Sequence, residues 1–185
     1  MLIRRTTIED VAAIQRMYRE VAKVPGGLAR LDDEITDEYV NSFVAKSLSA
    51  GVSLVAVNRA QCSVKNNDGD VIGELHAYSS GLFCFSHVLT DLTVAVSPHF
   101  RNQGIARKLF KTFFELVQNE FPTIRRVELI SRESNTMAIQ FYESLGFVKE
   151  GRLENRIKNV DGSLEADIPM SWTKSTPHGG SGIGA

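Results

Sequence analysis

The segment Val94-Ala95-Val96-Ser97-Pro98-His99-Phe100-Arg101-Asn102-Gln103-Gly104-Ile105-Ala106-Arg107-Lys108 has residue types and spacing suited to holding a phosphate group. An apolar run enters a glycine-containing turn, and an amphipathic stretch leaves it. The first N–H groups of a helix have no intrahelical acceptor. Together with the helix dipole they form an anion cradle. Gly104 and the small Ala106 let a bulky pyrophosphate approach the backbone. Arg101, Arg107 and Lys108 add positive charge beside it. Taken alone, the segment reads equally well as a plain strand-to-helix turn that uses glycine for geometry. It is not a P-loop, because the G-x-x-x-x-G-K-[ST] spacing is absent. The glycines of a G-x-G-x-x-G dinucleotide fingerprint are also missing.

The elements around this turn follow from periodicity. Leu2 to Arg5 reads as a first strand. Thr6 or Thr7 caps a helix that carries Val11, Ile14, Met17 or Tyr18, and Val21 at helical spacing, with Glu9 and Asp10 in its first turn. Pro25-Gly26-Gly27 breaks the chain. A second helix is predicted from Asp37 to Ser49. Ser53 to Val57 and Val71 to Tyr78 read as strands around a turn composition at Asn67-Asp68-Gly69-Asp70. Ser79 to Ser86 reads as a further strand or a substrate-side loop. Val88 to Val96 is the clearest strand, and a helix from about Ile105 to Val117 follows it. Val127 to Ile130 is a buried strand, Thr136 to Leu145 a helix ended by Gly146, and two closing strands bracket Asp161-Gly162. Proline at 169 predicts an edge or a bulge in the last strand. The mixture argues for an α/β-type domain over residues 1–174. The polar, glycine-rich residues 175–185 read as a flexible tail.

Composition bounds the rest. A chain of 185 residues with 43% apolar content supports one domain with a real core. Its 21 basic and 22 acidic residues give a formal net charge of -1, which argues against a nucleic-acid or anionic-membrane binder. The basic group Arg101, Arg107, Lys108 and Lys111 lacks interleaved aromatics. Cys62 and Cys84 have no metal-ligand spacing with the histidines, so no metal is expected, and they read as buried, reduced thiols. With neither a signal-peptide core nor a bilayer-length apolar run, a cytoplasmic protein is the expectation.

A resemblance joins these features. Arg101-x-x-Gly104-x-Ala106 after a strand resembles the Q/R-x-x-G-x-G/A signature of the GNAT superfamily of N-acetyltransferases. The segment from Asn135 to Phe147 is similar to that superfamily's N-x-x-A-x-x-[FL]-Y-x-x-x-G-F block. The stretch from Glu150 to Met170 resembles the branch containing ribosomal-protein N-terminal and phosphinothricin-type acetyltransferases. The resemblance spans about Leu2 to Trp172. It implies an α/β (α+β) fold with a mixed, splayed sheet of about seven strands flanked by about four helices. Acetyl-CoA would sit between the fourth and fifth strands. Val94, Ala95 and Val96 would pair with the pantetheine arm, and Arg101, Asn102, Gln103, Gly104, Ile105, Ala106 and Arg107 would hold the pyrophosphate. Asn135 would contact the cofactor arm or cap its helix.

The same resemblance gives Tyr142 the role of protonating the departing thiolate, against a plain packing role. It gives Asp91 the position of a general base at the start of the fourth strand, with His87 as its rival. Direct transfer of the acetyl group to a primary amine follows, since no cysteine sits in a nucleophile motif. The acceptor is a small metabolite, an amino acid, an antibiotic or a protein N-terminus, and a homodimer is compatible. A non-catalytic acyl-CoA-binding module is the competing class; it would lack groups of the Tyr142 and Asp91 kind. Acceptor recognition is expected from Val24 to Asp37, Ser79 to Val88 and the hairpin near Asp161. Glu154 and Asp167 are candidate cation-binding acids there, though solvated carboxylates explain them equally. Glu74, His76 and Tyr78 alternate on the third strand and read as solvated or packed positions. Phe83 and Phe85 fit either an acceptor pocket or the core.

Overall fold

The computed structural model describes residues 1–24, 26–58 and 70–174. Cys62, the turn at Asn67-Asp68-Gly69 and the tail 175–185 lie outside them. The strands are β1 (Leu2–Arg5), β2 (Gly51–Asn58), β3 (Asp70–Tyr78), β4 (Val88–Val96), β5 (Arg126–Arg132), β6 (Val148–Lys149), β7 (Leu153–Lys158) and β8 (Leu164–Thr173). The helices are α1 (Val11–Ala22), α2 (Asp37–Ala50), α3 (Ile105–Asn119) and α4 (Thr136–Glu143). The two-residue β6 is the strand that periodicity missed; so short a run has no alternation to read.

The caps explain where the helices begin. Thr7 opens a 3-10 turn at Ile8–Asp10, and its N–H donates to the Asp10 carboxylate at 2.8 Å. Glu9 and Asp10 therefore precede α1 rather than forming its first turn. Asp10 is buried and pairs through both oxygens with the Arg4 guanidinium, each at 2.7 Å. Burial pushes the Asp10 pKa up, but the bonds from Arg4 and Thr7 and the charge of Arg4 outweigh it, and the net shift is downward. Thr36 caps α2 by accepting from the Tyr39 N–H.

All strands form one sheet in the order β1-β2-β3-β4-β5-β8-β6, with β7 also on β8. Every pairing is antiparallel except β4 with β5. On one face α1 and α2 bury Ile14, Tyr18, Val40 and Phe43 against Val55, Val57, Val71 and Ala95. On the other, α3 and α4 bury Leu109, Phe110, Phe113 and Ile139 against Leu54, Leu75, Leu89 and Val127. Gly73 lets the start of α3 lie close to the sheet: a Cβ there would meet Ile105 at 3.0 Å and Leu109 at 3.3 Å.

Pro169 is not on an edge strand. β8 is interior, paired with β5 on one side and with β6 and β7 on the other. Pro169 falls where the ladder passes from β6 to β7, and its carbonyl accepts from the Glu150 N–H at 3.0 Å. The missing N–H therefore faces a junction rather than a ladder partner. Ser79 to Ser86 is a loop with a 3-10 turn at Phe83–Phe85. Phe83 is 95% exposed and Phe85 half exposed, so neither joins the core. Cys84 on that turn is exposed, not buried, because the turn projects from the sheet end.

Candidate active site

β4 and β5 share only two registered pairs, Val88 with Arg126 and Leu89 with Val127. Beyond Leu89 they separate, which leaves one edge of β4 without a strand partner. On its other edge β4 still pairs with β3, through Val94 opposite Leu75, Ala95 opposite Glu74 and Val96 opposite Gly73. The splay coincides with a bulge. Tyr78 pairs with Thr90 and His76 with Thr93, so Asp91 and Leu92 together oppose Ala77. Asp91 takes φ 53, a left-handed conformation that aspartate tolerates better than most residues. Bulges re-aim side chains. Asp91 thus lies within β4 at its bend, rather than at the strand's start.

The turn after β4 is an open cradle. Asn102 (φ 60) and Gly104 (φ 73) are both left-handed, and Gly104 caps α3. Among the described residues, no backbone N–H from Arg101 to Arg107 donates to a protein acceptor; the Lys108 N–H is the first, to the Gly104 carbonyl at 3.1 Å. A Cβ at Gly104 would meet nothing within 4 Å, so the space over the turn is free. Unpartnered N–H groups around open space suit a pyrophosphate. Arg107 leans toward α4, donating to Ser144 at 2.9 Å above the Phe141 ring. Asn135 caps α4 by accepting from the Ala138 N–H and donates to the Gly26 carbonyl, both at 3.2 Å.

Tyr142 sits among Phe110, Phe141 and Phe147, with ring centroids 5.7–5.9 Å away. Its hydroxyl has no hydrogen-bond partner among the described residues. Burial pushes its pKa up to about 12, so the phenol keeps its proton at neutral pH.

On the α1–α2 side the splay opens into a cavity of ≈ 610 Å³. Its walls come from distant segments: Leu28 to Arg30, Tyr39 and Phe43 of α2, His76 and Tyr78 of β3, Thr90 to Thr93 of β4, and residues of β5, β7 and β8. Most lining charges neutralise one another. Arg126 pairs with Glu128 at 2.5 Å and with Glu150; Arg132 pairs with Glu165 at 2.7 Å, and Arg156 with Asp167 at 3.8 Å. Two charges have no ion-pair partner among the described residues. Arg30 lies over the Tyr39 ring, 3.9 Å from its centroid. Asp91 is exposed to the cavity beside the Tyr78 hydroxyl. Burial and the neighbouring Asp91 push Tyr78 up to about 12.

Behind this wall lies a buried polar group. Glu74 is fully buried and accepts from Tyr18 Oη at 2.5 Å and Ser53 Oγ at 3.1 Å. His76 Nδ1 is 3.0 Å from its carboxylate. Burial and the carboxylate together raise the Tyr18 pKa.

The structure therefore brings Asp91, His76 and Tyr78 to one wall. His87 is exposed at the closed end of the splay, where its carbonyl accepts from the Arg125 and Arg126 N–H groups, and it does not line the cavity. Val24 to Asp37 supplies Arg30, and the last hairpin supplies Arg156 and Asp167. Burial raises the Asp167 pKa, although Arg156 and Arg132 oppose it. Glu154 instead pairs with Arg152 on the surface. The Ser79 to Val88 loop lines a smaller side pocket of ≈ 210 Å³ through Ser80, Phe85 and Val88. Arg30, Tyr39, Phe43 and Arg126 escaped the sequence reading; no local motif marks them.

A family model described as an acetyltransferase (GNAT) domain matches residues 58–149. The N-terminal acetyltransferase B complex catalytic subunit naa20 of Schizosaccharomyces pombe is 30% identical over 138 residues, covering 75% of this chain and 73% of that protein. The chain belongs to the GNAT acetyltransferase family. Among solved structures, a GNAT-family acetyltransferase from Streptococcus pneumoniae shares the fold at a TM-score of 0.79 and 21% identity, over 94% of this chain and 99% of that one. The protein yncA from Salmonella typhimurium, solved with its cofactor acetyl-CoA, matches at a TM-score of 0.75 and 18% identity, over 97% and 98% of the two chains. As a GNAT enzyme the chain is an acetyl-CoA-dependent N-acetyltransferase. The open cradle at Arg101 to Arg107 and the free edge of β4 suit that co-substrate.

Proposed function

We propose that the enzyme transfers acetyl directly from acetyl-CoA to the primary amine of a small molecule that also carries an acidic group. The observation that carries this is the pair of uncompensated, opposite charges, Asp91 and Arg30, in a cavity whose other arginines are paired. A cavity of this volume fits a small ligand. Asp91 receives the ammonium group and Arg30 the anionic group.

The N–H groups from Arg101 to Ala106, with Arg107 beside them, hold the pyrophosphate. The free edge at Val94, Ala95 and Val96 pairs with the pantetheine arm, and one of its N–H groups donates to the carbonyl oxygen as negative charge develops there. Asn135 acts on that arm through the loop it holds at Gly26. Tyr142, protonated at neutral pH, gives its proton to the leaving sulfur. No step needs a covalent acetyl-enzyme, so both substrates are bound together. No helix among the described residues is long and apolar enough to cross a membrane.

The test is release of free CoA from acetyl-CoA with a panel of amines: free amino acids, their amides, and short peptides. Free acids are expected to surpass the matching amides, through KM. Equal turnover of acids and amides, or preference for peptides, would remove Arg30 from recognition. Tight acetyl-CoA binding without turnover on any amine would sink the catalytic reading.

A further inference from the structure

We infer that His76, held by the buried carboxylate of Glu74, is the base that takes the proton from the acceptor's ammonium group, and that Asp91 anchors this group. This role presupposes the acetyl-transfer reading of the cavity. His76 is 2% exposed and lines that cavity. It pairs with Thr93 across β3 and β4, just past the bulge that carries Asp91.

The hydrogen bonds settle the tautomer. Glu74 accepts from Tyr18 Oη and Ser53 Oγ, and Ser53 Oγ lies 2.7 Å from Thr6 Oγ1. A carboxylate surrounded by donors takes Nδ1–H from the imidazole, at 3.0 and 3.2 Å to its two oxygens. Nε2 then carries the lone pair, and it has no hydrogen-bond partner among the described residues. The ring cannot turn away. Phe43 stacks on it at 4.1 Å and 11°, and Tyr78 lies nearly parallel at 6.2 Å. A carboxylate behind Nδ1 with a bare Nε2 in front is the arrangement of an oriented base. A purely structural site has less reason to keep a charge here, since burying a carboxylate costs several kcal/mol that apolar packing would avoid.

The chemistry separates His76 from Asp91. An ordinary imidazole titrates near 6.5 and an ordinary aspartate near 3.9. The base that works best has a pKa close to the working pH. In the step, an ammonium N–H bond breaks and the Nε2–H bond forms, leaving an imidazolium against Glu74. The freed lone pair forms the C–N bond to the thioester carbonyl carbon. The C–S bond then breaks as Tyr142 gives its proton to the sulfur, and the second proton of the adduct nitrogen restores the Tyr142 hydroxyl. The proton on Nε2 passes to solvent, the one proton released per turnover.

The charges facing His76 come from several elements. Glu74 and Tyr78 share β3; Tyr18 lies on α1, Tyr39 on α2, Asp91 on β4 and Arg30 in the loop before α2. A base must be unprotonated to act, so the proposed role ties the acidic limb of kcat/KM in the wild type to His76.

The experiment is the pH profile of CoA release for the wild type, His76→Gln, Glu74→Gln and Asp91→Asn, with acetyl-CoA binding measured separately. His76→Gln is expected to bind acetyl-CoA normally, lose ~10²–10⁴ in kcat and lose the acidic limb. In Glu74→Gln the limb moves to lower pH, because the imidazolium loses its counter-charge. Asp91→Asn keeps the limb and raises the KM of the amine. Loss of the limb in Asp91→Asn while His76→Gln keeps it, with most of its kcat, overturns the proposal. Wild-type inactivity on every amine overturns the acetyl-transfer reading beneath it. Should His76→Gln not fold, imidazole ¹⁵N spectra of the four wild-type histidines decide. A His76 ring protonated on Nδ1 that gains its second proton at the pH of the limb supports the role, and one that does not titrate there refutes it.

Discussion

The two sides of the splay between β4 and β5 are built from different material. The proposed cofactor side is backbone: a free strand edge and a run of N–H groups from Arg101 to Arg107 without protein acceptors among the described residues. The proposed acceptor side is side chain: Arg30, His76, Tyr78, Asp91 and the paired arginines, drawn from a loop and four strands. Backbone donors do not depend on residue identity, only on the turn that aims them. Side-chain charges can be exchanged singly without disturbing the sheet. The first construction suits a ligand that stays constant, the second one that varies.

That contrast can be broken by substitution. The largest effect is expected from Tyr142→Phe, with kcat lowered by ~10²–10⁴ and acetyl-CoA binding unchanged. Unchanged turnover with intact binding would leave Tyr142 a packing residue. A related pH prediction follows from its pKa of about 12. Any fall in wild-type kcat on the alkaline side below that range belongs to another group, and a profile of Tyr142→Phe should retain it.

Next in size, Arg30→Ala should raise the KM of an acidic acceptor by about 10–100-fold, the worth of a charge-assisted hydrogen bond of ~1.5–3 kcal/mol. Acetyl-CoA affinity should stay the same, measured by calorimetry. On the other side, Gly104→Val should invert that pattern. Its side chain enters the open space over the turn and must hold a left-handed φ of 73. Acetyl-CoA affinity is expected to fall, at a stability cost of roughly 1–2 kcal/mol, seen as a lower Tm. If Gly104→Val bound acetyl-CoA normally, the cradle would lie elsewhere.

Smaller still is the acid dependence at the far end of the sheet. The folded pKa of Asp10 lies below its unfolded value of 3.8. Its pairing with Arg4 therefore contributes stability in full above that value and loses it as pH falls through the folded pKa. Asp10→Asn should lower stability at neutral pH and flatten the denaturation profile below about pH 4. A parallel loss at every pH would refer the effect to the Thr7 cap instead. The smallest change is expected for Glu154→Gln, within about 0.5 kcal/mol, as for other exposed ion pairs.

The same contrast explains what could be read in advance. The strand-turn-helix from Val94 to Lys108 was legible because it is local: strand, turn, glycine and helix lie within fifteen consecutive residues. The helices and long strands were legible for the same reason, through the period of Ile14, Met17, Tyr18 and Val21 or of Leu109, Phe110, Phe113 and Val117. The acceptor side was not. Glu74, His76 and Tyr78 do alternate, which puts them on one face of β3, but only the packing of α1 and α2 shows that this face is buried and polar. Arg30 looks like a surface charge until every other arginine lining the cavity is seen to have a carboxylate, and Asp91 was singled out only by the resemblance, as a base. Pro169 misled because strand order, not strand composition, decides which residue lies at an edge.

The seam between the two halves of the sheet has a mechanical consequence. Among the described residues, the β1–β4 half joins the half built on β5 and β8 through the registered pairs Val88 with Arg126 and Leu89 with Val127 and, at the closed end, the His87 carbonyl. Anything that lies along the free edge of β4 supplies rungs that the chain itself lacks. On the proposed assignment acetyl-CoA is such a splint: amides from Thr90 to Val96 should exchange with deuterium more slowly when it is bound. The melting temperature should then climb with its concentration as RT ln(1 + [L]/Kd) requires. The co-substrate would serve as a reagent during turnover and as a piece of architecture between turnovers.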